Sequence, residues 1–342
     1  MKLPYTDGGQ LVIASGDVLL SFDPSEVKFS NYGVTGVAYP GSANVASGHG
    51  VYVPNQLESD QNLMKVADFL QKPSYEQLIQ NNALDESDRA FIDTGILSFS
   101  IDALEKLISA SGIFIDNGKL SLEKDGLCKQ IIEGRVYLDI YKEIPLIMLN
   151  NNLNIFDGLK SDDVILKNSN SIISENSNGV IPAKAGIYSF IDRFSKTSFF
   201  VCLLSYCGFF HIGTSRQLLR NFHTINHTAS MYGFQNLCRS KIKNTTEFKN
   251  IFVYNSLIES SSIKSGKSSF IEGCHIKGNL DLSGENIITG IPKDVGELKL
   301  NNGICISCIP IVRSEEGWVT IIYGINDNFG LSMNDNSATL LN

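Results

Sequence analysis

The chain has 342 residues, enough for two domains or for one large domain with a substantial core. Its 36 acidic and 28 basic side chains give a net charge of −8, which argues against a broad surface for nucleic-acid polymers or anionic membranes. A nucleotide site is still allowed, because it needs only a few local donors. The seven cysteines form no disulfide framework, and no signal peptide or membrane-spanning run is found, so we expect a cytoplasmic protein.

The first predicted element is a short apolar strand followed by a carboxylate. Leu11 to Ala14 fits an internal parallel strand, and Asp17 comes just after it. Ligands of open α/β sheets bind outside the carboxyl ends of the strands, so Asp17 is placed to hold a metal or a hydroxyl. The alternative is a turn aspartate that caps its own backbone.

A glycine-rich loop lies between the next two predicted strands. Residues 34–39 and 51–53 read as strands, with a turn at 40–42 after the first. Gly48 and Gly50 flank His49, which indicates close backbone approach to a ligand or a neighbouring strand. Taken alone, His49 fits a hydrogen-bonded loop histidine better than a catalytic base.

Two further strands end in, or contain, polar groups that could face a ligand. Lys72 ends a strand before Pro73 and could pair with phosphate, although a solvated surface lysine is the alternative. A helix follows over 74–81 with Ser74 as N-cap. Residues 91–96 form a strand broken by Asp93-Thr94-Gly95, and residues 101–110 form an amphipathic helix.

The middle of the chain alternates polar loops with apolar runs. Predicted here are a helix opening at 138–141, a surface loop at 150–178, strands at 186–188 and within 199–210, and a strand-to-helix turn at 208–215. Thr214 or Ser215 would cap the helix over 216–222.

Beyond residue 252 the apolar positions recur about every six residues, a period typical of hexapeptide β-helix coils. His275 sits among these coils as a surface residue, and 303–312 and 318–323 read as closing strands. Cys305 and Cys308 have zinc-like spacing, but without a second pair they read as strand cysteines. The recurring apolar residues are Leu257, Ile263, Phe270, Ile276, Leu282 and Ile288.

Seven segments in a fixed order carry a resemblance to a known family. Together they resemble the guanylyltransferase (GDP-L-fucose pyrophosphorylase) domain of the L-fucokinase and fucose-1-phosphate guanylyltransferase family. The segments are IASGDVLL (13–20), VASGHGVYV (45–53), FLQKPS (69–74), DTGI (93–96), YLDIY (137–141), FFHIGTS (209–215) and ENIITGIP (285–292).

The resemblance implies the roles of the first site residues. Asp17 would hold a catalytic Mg²⁺ between the sugar phosphate and the nucleoside triphosphate. Lys72 would contact the sugar-1-phosphate. The sugar pocket would be lined by His49, Gly50, Asp93 and Gly95.

The remaining implied site residues are Asp139, His211, Gly213 and Thr214, all assigned to substrate binding. His211 stands where wider nucleotidyltransferases carry a second metal-holding aspartate, in agreement with the fucose branch. This weakens a strict two-metal mechanism. Asp139 matches a motif carboxylate that shapes the site.

The resemblance also implies a fold and a domain order. The fold would be α/β, a Rossmann-like nucleotidyltransferase with a mixed, mostly parallel sheet, followed by a left-handed parallel β-helix. Residues 1–235 would form the first domain, 236–325 the β-helix and 326–342 a tail. The family's glycine-rich, arginine-containing loop precedes the ASGD strand, and this chain has no residues there, so we expect an N-terminally incomplete domain.

The implied reaction is in-line attack of L-fucose-1-phosphate on the α-phosphorus of GTP, which releases pyrophosphate and gives GDP-L-fucose. Without the loop, we expect weak or no activity from the chain as given. The alternative function is a non-catalytic sugar-phosphate-binding or scaffold module. Besides GTP and the sugar phosphate, the implied partners are a fused kinase domain or further copies of the chain.

Overall fold

The protein is described from a computed structural model, which divides the chain into two compact units. Residues 1–16 and 20–209 form the first unit, and residues 17–19 and 210–342 form the second. The residues that the structure describes are 9–60, 62–149, 182–228, 237–243, 250–260, 262–293, 295–311 and 317–328. The loop predicted at 150–178 and most of the predicted tail lie outside them.

Helices and strands alternate up to residue 228. The strands are Gln10–Ala14 (β1), Val18–Ser21 (β2), Val34–Ser42 (β3), Gly50–Asp60 (β4), Leu63–Gln71 (β5), Arg89–Ser100 (β6), Ile113–Asp116 (β7), Lys119–Leu122 (β8), Phe199–Leu203 (β9) and Gly208–His211 (β10). The α-helices are Ala43–Ala46 (α1), Tyr75–Gln80 (α2), Ile101–Ala110 (α3), Leu127–Ile132 (α4), Glu143–Leu149 (α5), Pro182–Phe194 (α6) and Ser215–Thr228 (α7). A 3₁₀ helix spans Pro24–Glu26.

The main sheet of the first unit is mixed, as predicted, but it is mostly antiparallel. Its strand order is β1-β6-β3-β9-β5-β4. Strand β4, at the end of this order, also pairs with β6. Of these pairs, only β3 with β9 is parallel. Parallel neighbours need a connection of a dozen residues or more, whereas β4 and β5 follow each other almost directly. The prediction of a mostly parallel sheet is wrong.

The predicted position and direction of β1 in the sheet are also wrong. It is an edge strand that pairs antiparallel with β6, rather than an internal parallel strand. Leu11 is 41% exposed, as an edge allows. The apolar run is short enough to suit a buried or an edge strand, and its neighbours decide which.

Alternate residues of β3 enter two separate hydrophobic clusters. Val34 and Ala38 belong to the first cluster, with Phe190 of α6, and Val37 and Tyr39 belong to the second. The predicted turn at 40–42 is wrong, since β3 continues to Ser42 through its pairing with β6.

Helix α6 replaces the strand predicted at 186–188. Phe190 and Phe194 are four residues apart, are fully buried, and stack with ring centroids 5.5 Å apart, which is helical spacing. A Cβ on Gly186 would lie 2.2 Å from the Asp125 carbonyl oxygen. The glycine therefore serves helix packing. The helix expected to open at 138–141 begins instead at Glu143.

Ser74 caps α2, as predicted, within a capping box. The Gln77 amide donates to Ser74 Oγ at 3.3 Å, and the Ser74 amide donates to Gln77 Oε1 at 2.8 Å. We expect Ser74→Ala to lower the free energy of unfolding by about 1 kcal/mol in urea denaturation. The variants Gln77→Ala and Ser74→Ala/Gln77→Ala complete a double-mutant cycle. Strictly additive effects would contradict a coupled box.

The second unit is dominated by short strands that stack in parallel as a β-solenoid. They form three sheets, ordered β11-β13-β16-β19-β21-β22, β12-β14-β17 and β15-β18-β20. The strands are Leu237–Cys238 (β11), Lys241–Ile242 (β12), Ile251–Tyr254 (β13), Leu257–Ile258 (β14), Ile263–Ser265 (β15), Ser269–Glu272 (β16), His275–Ile276 (β17), Leu280–Leu282 (β18), Ile287–Thr289 (β19), Leu298–Leu300 (β20), Ile304–Ile311 (β21) and Gly317–Gly324 (β22).

The six-residue period is confirmed, with two corrections to its register. Ile258, rather than the predicted Leu257, is the buried residue of β14. Ile271 faces the interior of the coils with Val253 and Ile288. Phe270, one residue earlier, faces outward and packs under Leu219 of α7. Handedness of the coil stays a prediction.

The closing strands are confirmed as the antiparallel pair β21 and β22. Cys305 and Cys308 lie in different hydrophobic clusters, so they do not converge on a metal. Helix α7 runs well past the predicted 216–222, and Arg216 joins it to Glu285 (2.9 Å) on the solenoid. None of the helices in the described ranges is long and apolar enough to cross a membrane.

Candidate functional site

In the first unit, five of the predicted site residues come together where β4, β5 and β6 meet. Gly50 begins β4 and pairs with Gln71 at the end of β5. The backbone amide of Lys72 donates to the carbonyl of His49 at 2.9 Å. A Cβ on Gly50 would lie 3.4 Å from the Cβ of Asp93. We call His49, Gly50, Lys72, Asp93 and Gly95 the Asp93 cluster.

The Asp93-Thr94-Gly95 break in β6 is a true irregularity. The register of β3 against β6 shifts there, and the Thr94 hydroxyl donates to the carbonyl of Val37 at 2.7 Å. Gly95 has φ +73°, a conformation that favours glycine, and its amide donates to Asp93 Oδ1 at 3.0 Å. The break therefore turns the Asp93 carboxyl toward its own backbone.

Tyr52 is a member of this region that sequence reasoning missed. Its fully buried hydroxyl donates to Asp93 Oδ1 at 3.4 Å. A Cβ on Gly36 would lie 2.1 Å from that hydroxyl, so only glycine fits opposite it. The available signal was the alternation in Val51-Tyr52-Val53, together with Gly36 in β3.

Burial dominates the electrostatics of the cluster. Desolvation raises the pKa of Asp93 to about 7, against the lowering by hydrogen bonds from Gly95 and Tyr52. Desolvation and the nearby Asp93 raise the pKa of Tyr52 well above its usual value. A carboxyl poised near neutrality beside exposed Lys72 can take part in binding as acid or as anion.

Lys72 and His49 are held mainly through their backbones. Lys72 has φ +48°, a left-handed conformation uncommon for a side-chain-bearing residue, and this ends the strand pairing at that point. The His49 ring lies edge-on to Phe209 with centroids 4.9 Å apart. Among the described residues, the Lys72 ammonium has no ion-pair partner. A phosphate would supply one.

Asp139 is not joined to the Asp93 cluster by any hydrogen bond among the described residues. Its carboxylate accepts from the Tyr141 amide at 2.8 Å, and its carbonyl accepts from the Glu143 amide at 2.9 Å. It therefore shapes the turn into α5. The neighbouring Tyr141 lies within electrostatic range of Tyr52.

In the second unit, Asp17 and His211 form a pair. His211 Nε2 lies 3.1 Å from Asp17 Oδ2, and the Ile212 amide donates to the Asp17 carbonyl at 2.7 Å. A Cβ on Gly213 would lie 2.7 Å from His211 Nε2 and 3.4 Å from Asp17 Oδ2. Gly213 thus keeps the pair accessible.

A chain of hydrogen bonds from the start of α7 sets the orientation of His211. Thr214, confirmed as the N-cap, accepts from the Gln217 amide and donates to Gln217 Oε1, both at 3.1 Å. The Gln217 side-chain nitrogen, which can only donate, lies 3.4 Å from His211 Nδ1. Neutral His211 therefore carries its proton on Nε2 and donates it to Asp17. Sequence reasoning missed Gln217, although it stands three residues after a predicted N-cap.

The chemistry of Asp17 fits a Mg²⁺ site that substrate would complete. Within the described ranges, no group of three or more His, Cys, Asp or Glu side chains could hold a metal by itself. Magnesium is commonly bound by one or two carboxylates with substrate phosphates and water. The Asp17 side chain is 50% exposed and carries the negative charge that such a site requires.

The fold and these two groups of residues define a class of protein: a mixed-sheet domain continued by a β-solenoid, with lysine, carboxylate and histidine side chains near strand ends. A family model, the fucose pyrophosphorylase domain, matches residues 3–342. The chain belongs to this family.

Two curated relatives agree with the family. The chain is 23% identical over 330 residues to an "L-fucokinase/L-fucose-1-P guanylyltransferase" of Bacteroides fragilis, covering 96% of this chain and 28% of the relative. It is 36% identical over 97 residues to a "Bifunctional fucokinase/GDP-fucose pyrophosphorylase" of Arabidopsis thaliana, covering 28% of this chain and 9% of the relative. The chain thus spans under a third of the length of either relative.

Proposed function

We propose that this chain carries the guanylyltransferase chemistry of GDP-L-fucose synthesis. The observation that carries the proposal is the Asp93 cluster, where the exposed Lys72 follows the end of β5 and its backbone amide donates to the carbonyl of half-buried His49. An ammonium in the same cluster as backbone polar groups and a carboxyl suits a sugar phosphate. Family membership supports the choice of L-fucose-1-phosphate and GTP as the substrates.

In the proposed reaction, a phosphate oxygen of L-fucose-1-phosphate attacks the α-phosphorus of GTP. The new P–O bond forms as the bond from the α-phosphorus to the bridging oxygen breaks, and pyrophosphate leaves with that oxygen. No covalent enzyme intermediate is needed, because positioning and neutralisation of charge are sufficient.

The chain's own residues divide this work. Lys72 binds the sugar phosphate and reduces the repulsion between it and the triphosphate. Asp17 would hold magnesium, which when bound would neutralise charge on the phosphates. His211 keeps the Asp17 carboxylate oriented through its Nε2 proton, and Gln217 and Thr214 in turn fix His211. Asp93 and the Gly50 backbone bind sugar hydroxyls.

Substrate binding and product formation test the proposal separately. Isothermal titration of the chain with L-fucose-1-phosphate and with GTP plus Mg²⁺ is expected to show binding of both, and chromatography to show slow formation of GDP-L-fucose. We expect Lys72→Gln to weaken sugar-phosphate binding about tenfold or more, because a hydrogen-bonded charge is lost. Lys28→Gln, on the segment before β3, is the matched control.

The two candidate functions give different results. Binding of L-fucose-1-phosphate without GTP would favour the non-catalytic sugar-phosphate module. Absence of both would contradict the proposal. Unchanged sugar-phosphate affinity in Lys72→Gln would remove Lys72 from the site.

A further inference from the structure

A groove of about 1080 Å³ runs along one corner of the β-solenoid, lined by residues of successive coils. Four corner residues share a left-handed conformation: Arg239 (φ +49°), Asn255 (φ +46°), Gly273 (φ +60°) and Gly290 (φ +69°). Two of these four carry no side chain, and a Cβ on Gly273 would meet no atom within 4 Å. The corner is therefore bare at two neighbouring coils, which opens the depression. We call it the corner groove.

The charge of the corner groove is opposite to that of the whole protein. Three cations, Arg239, Lys241 and Lys293, line it, and its described lining contains no aspartate or glutamate. The chain as a whole has a net charge of −8. None of the three cations forms an ion pair with a residue in the described ranges. Clustered, uncompensated cations on an acidic protein attract an anionic ligand.

The carboxylate that contacts the groove residue His275 is already occupied. Glu259 Oε2 lies 2.9 Å from His275 Nε2, and its Oε1 lies 2.6 Å from Lys243 Nζ. These interactions hold the His275 ring at the edge of the groove. Glu259 is therefore paired with Lys243 and His275 rather than with Arg239, Lys241 or Lys293.

The register of the stacked strands gives the distance between Lys241 and Lys293, and so the length of ligand that both can contact. Lys241 pairs with Leu257, which pairs with His275, and the His275 amide donates to Ile291, two residues before Lys293. The two lysines therefore stand about three coils apart, roughly 14 Å at the usual strand spacing. With flexible four-carbon stems, both can reach a diphosphate between them, whereas a single phosphate would engage one.

The end of the groove near Lys293 carries an aromatic surface. Trp318, paired with Pro310 across β21 and β22, is 47% exposed and lines the groove. An exposed indole beside a cation is a platform for a flat heterocycle, and stacking tolerates different bases. Trp318 is also the single tryptophan of the chain.

We propose that the corner groove is a second ligand site, which binds a nucleoside diphosphate. The base stacks on Trp318, and the diphosphate lies between Lys293 and Lys241. The lining of this site shares no residue with the Asp93 cluster or the Asp17–His211 pair, and the proposal does not depend on the chemistry proposed for them.

Tryptophan fluorescence reports this site directly. Titration with GDP or ADP in EDTA is expected to change Trp318 emission saturably, and inorganic pyrophosphate is expected to bind about tenfold more weakly because it lacks the ring. Lys241→Gln and Lys293→Gln should each weaken GDP binding about tenfold. Calorimetry of Trp318→Ala should show a similar loss.

Matched variants separate the groove from other sites. Lys264→Gln, an exposed strand lysine of the solenoid that does not line the groove, and Asp17→Asn are expected to bind GDP in EDTA like the parent. Absence of a fluorescence response and of calorimetric binding would overturn the proposal. So would unchanged GDP affinity in the Lys241→Gln/Lys293→Gln double variant, or pyrophosphate binding as tightly as GDP.

Discussion

Replacing Asp17 with asparagine is expected to lower the rate of GDP-L-fucose formation by about 100-fold or more, with the fold retained. The side chain keeps its size, and an asparagine oxygen can still accept from His211 Nε2, now 3.1 Å away. The negative charge is lost, and preorganised charge that acts on the transition state is worth at least that factor. Because the Asp17 side chain is half-exposed, we expect the variant to lose little stability.

Magnesium dependence distinguishes this role from a turn aspartate. For Asp17→Asn, the Mg²⁺ concentration needed for GTP binding and for half-maximal rate should rise. Asp281→Asn, an exposed aspartate of the solenoid, should leave both unchanged. A stability change with normal rate and normal Mg²⁺ dependence would assign Asp17 to the turn alone.

The backbone of the Asp93 cluster was predictable where local sequence fixes local conformation, while the roles of its side chains stay predictions. The run Gly48-His49-Gly50 and the Asp93-Thr94-Gly95 break mark places where β4 and β6 approach other chain segments, and both stand in the Asp93 cluster. Tyr52 and Gln217 were not predicted, because their roles come from partners distant in the chain or from a side chain's second hydrogen bond. An apolar strand position gives no sign that its hydroxyl meets a carboxyl.

The sequence periods of the fold were predictable, whereas the pairing of its strands was less so. Six-residue recurrence fixed the solenoid because each coil repeats the same contact, but period alone did not distinguish Phe270, outside, from Ile271, inside. In the first unit the strands were mostly found, while their direction depended on which strands pair across long separations. β1 and β6, some 80 residues apart, are such a pair.

Asp93→Asn is expected to make the protein more stable at pH 8 than the parent, with an advantage that shrinks as the pH falls. Burial raises the folded pKa of Asp93 from its usual 3.8 to about 7, so the folded state favours the protonated carboxyl. Its contribution to stability is fully present below pH 3.8 and is lost as the pH rises through 7. At about 1.4 kcal/mol for each pKa unit, the whole change is on the order of 4 kcal/mol.

Asparagine suits this position because its carbonyl oxygen can accept the same hydrogen bonds from Gly95 and Tyr52 without a charge. Urea unfolding followed by circular dichroism between pH 4 and pH 8 measures the difference in unfolding free energy between variant and parent, in which the contributions of the other titrating groups cancel.

Asp102→Asn is a control for which the opposite pH dependence is expected. Its carboxyl is desolvated at the start of α3, yet hydrogen bonds with Ser100 and the charge of Lys106 hold its pKa below the usual value. Asp102→Asn should therefore be less stable than the parent at neutral pH, and this deficit should vanish in acid. A pH-independent difference for Asp93→Asn would show that Asp93 is ionised throughout and that its carboxylate is already satisfied in the folded protein.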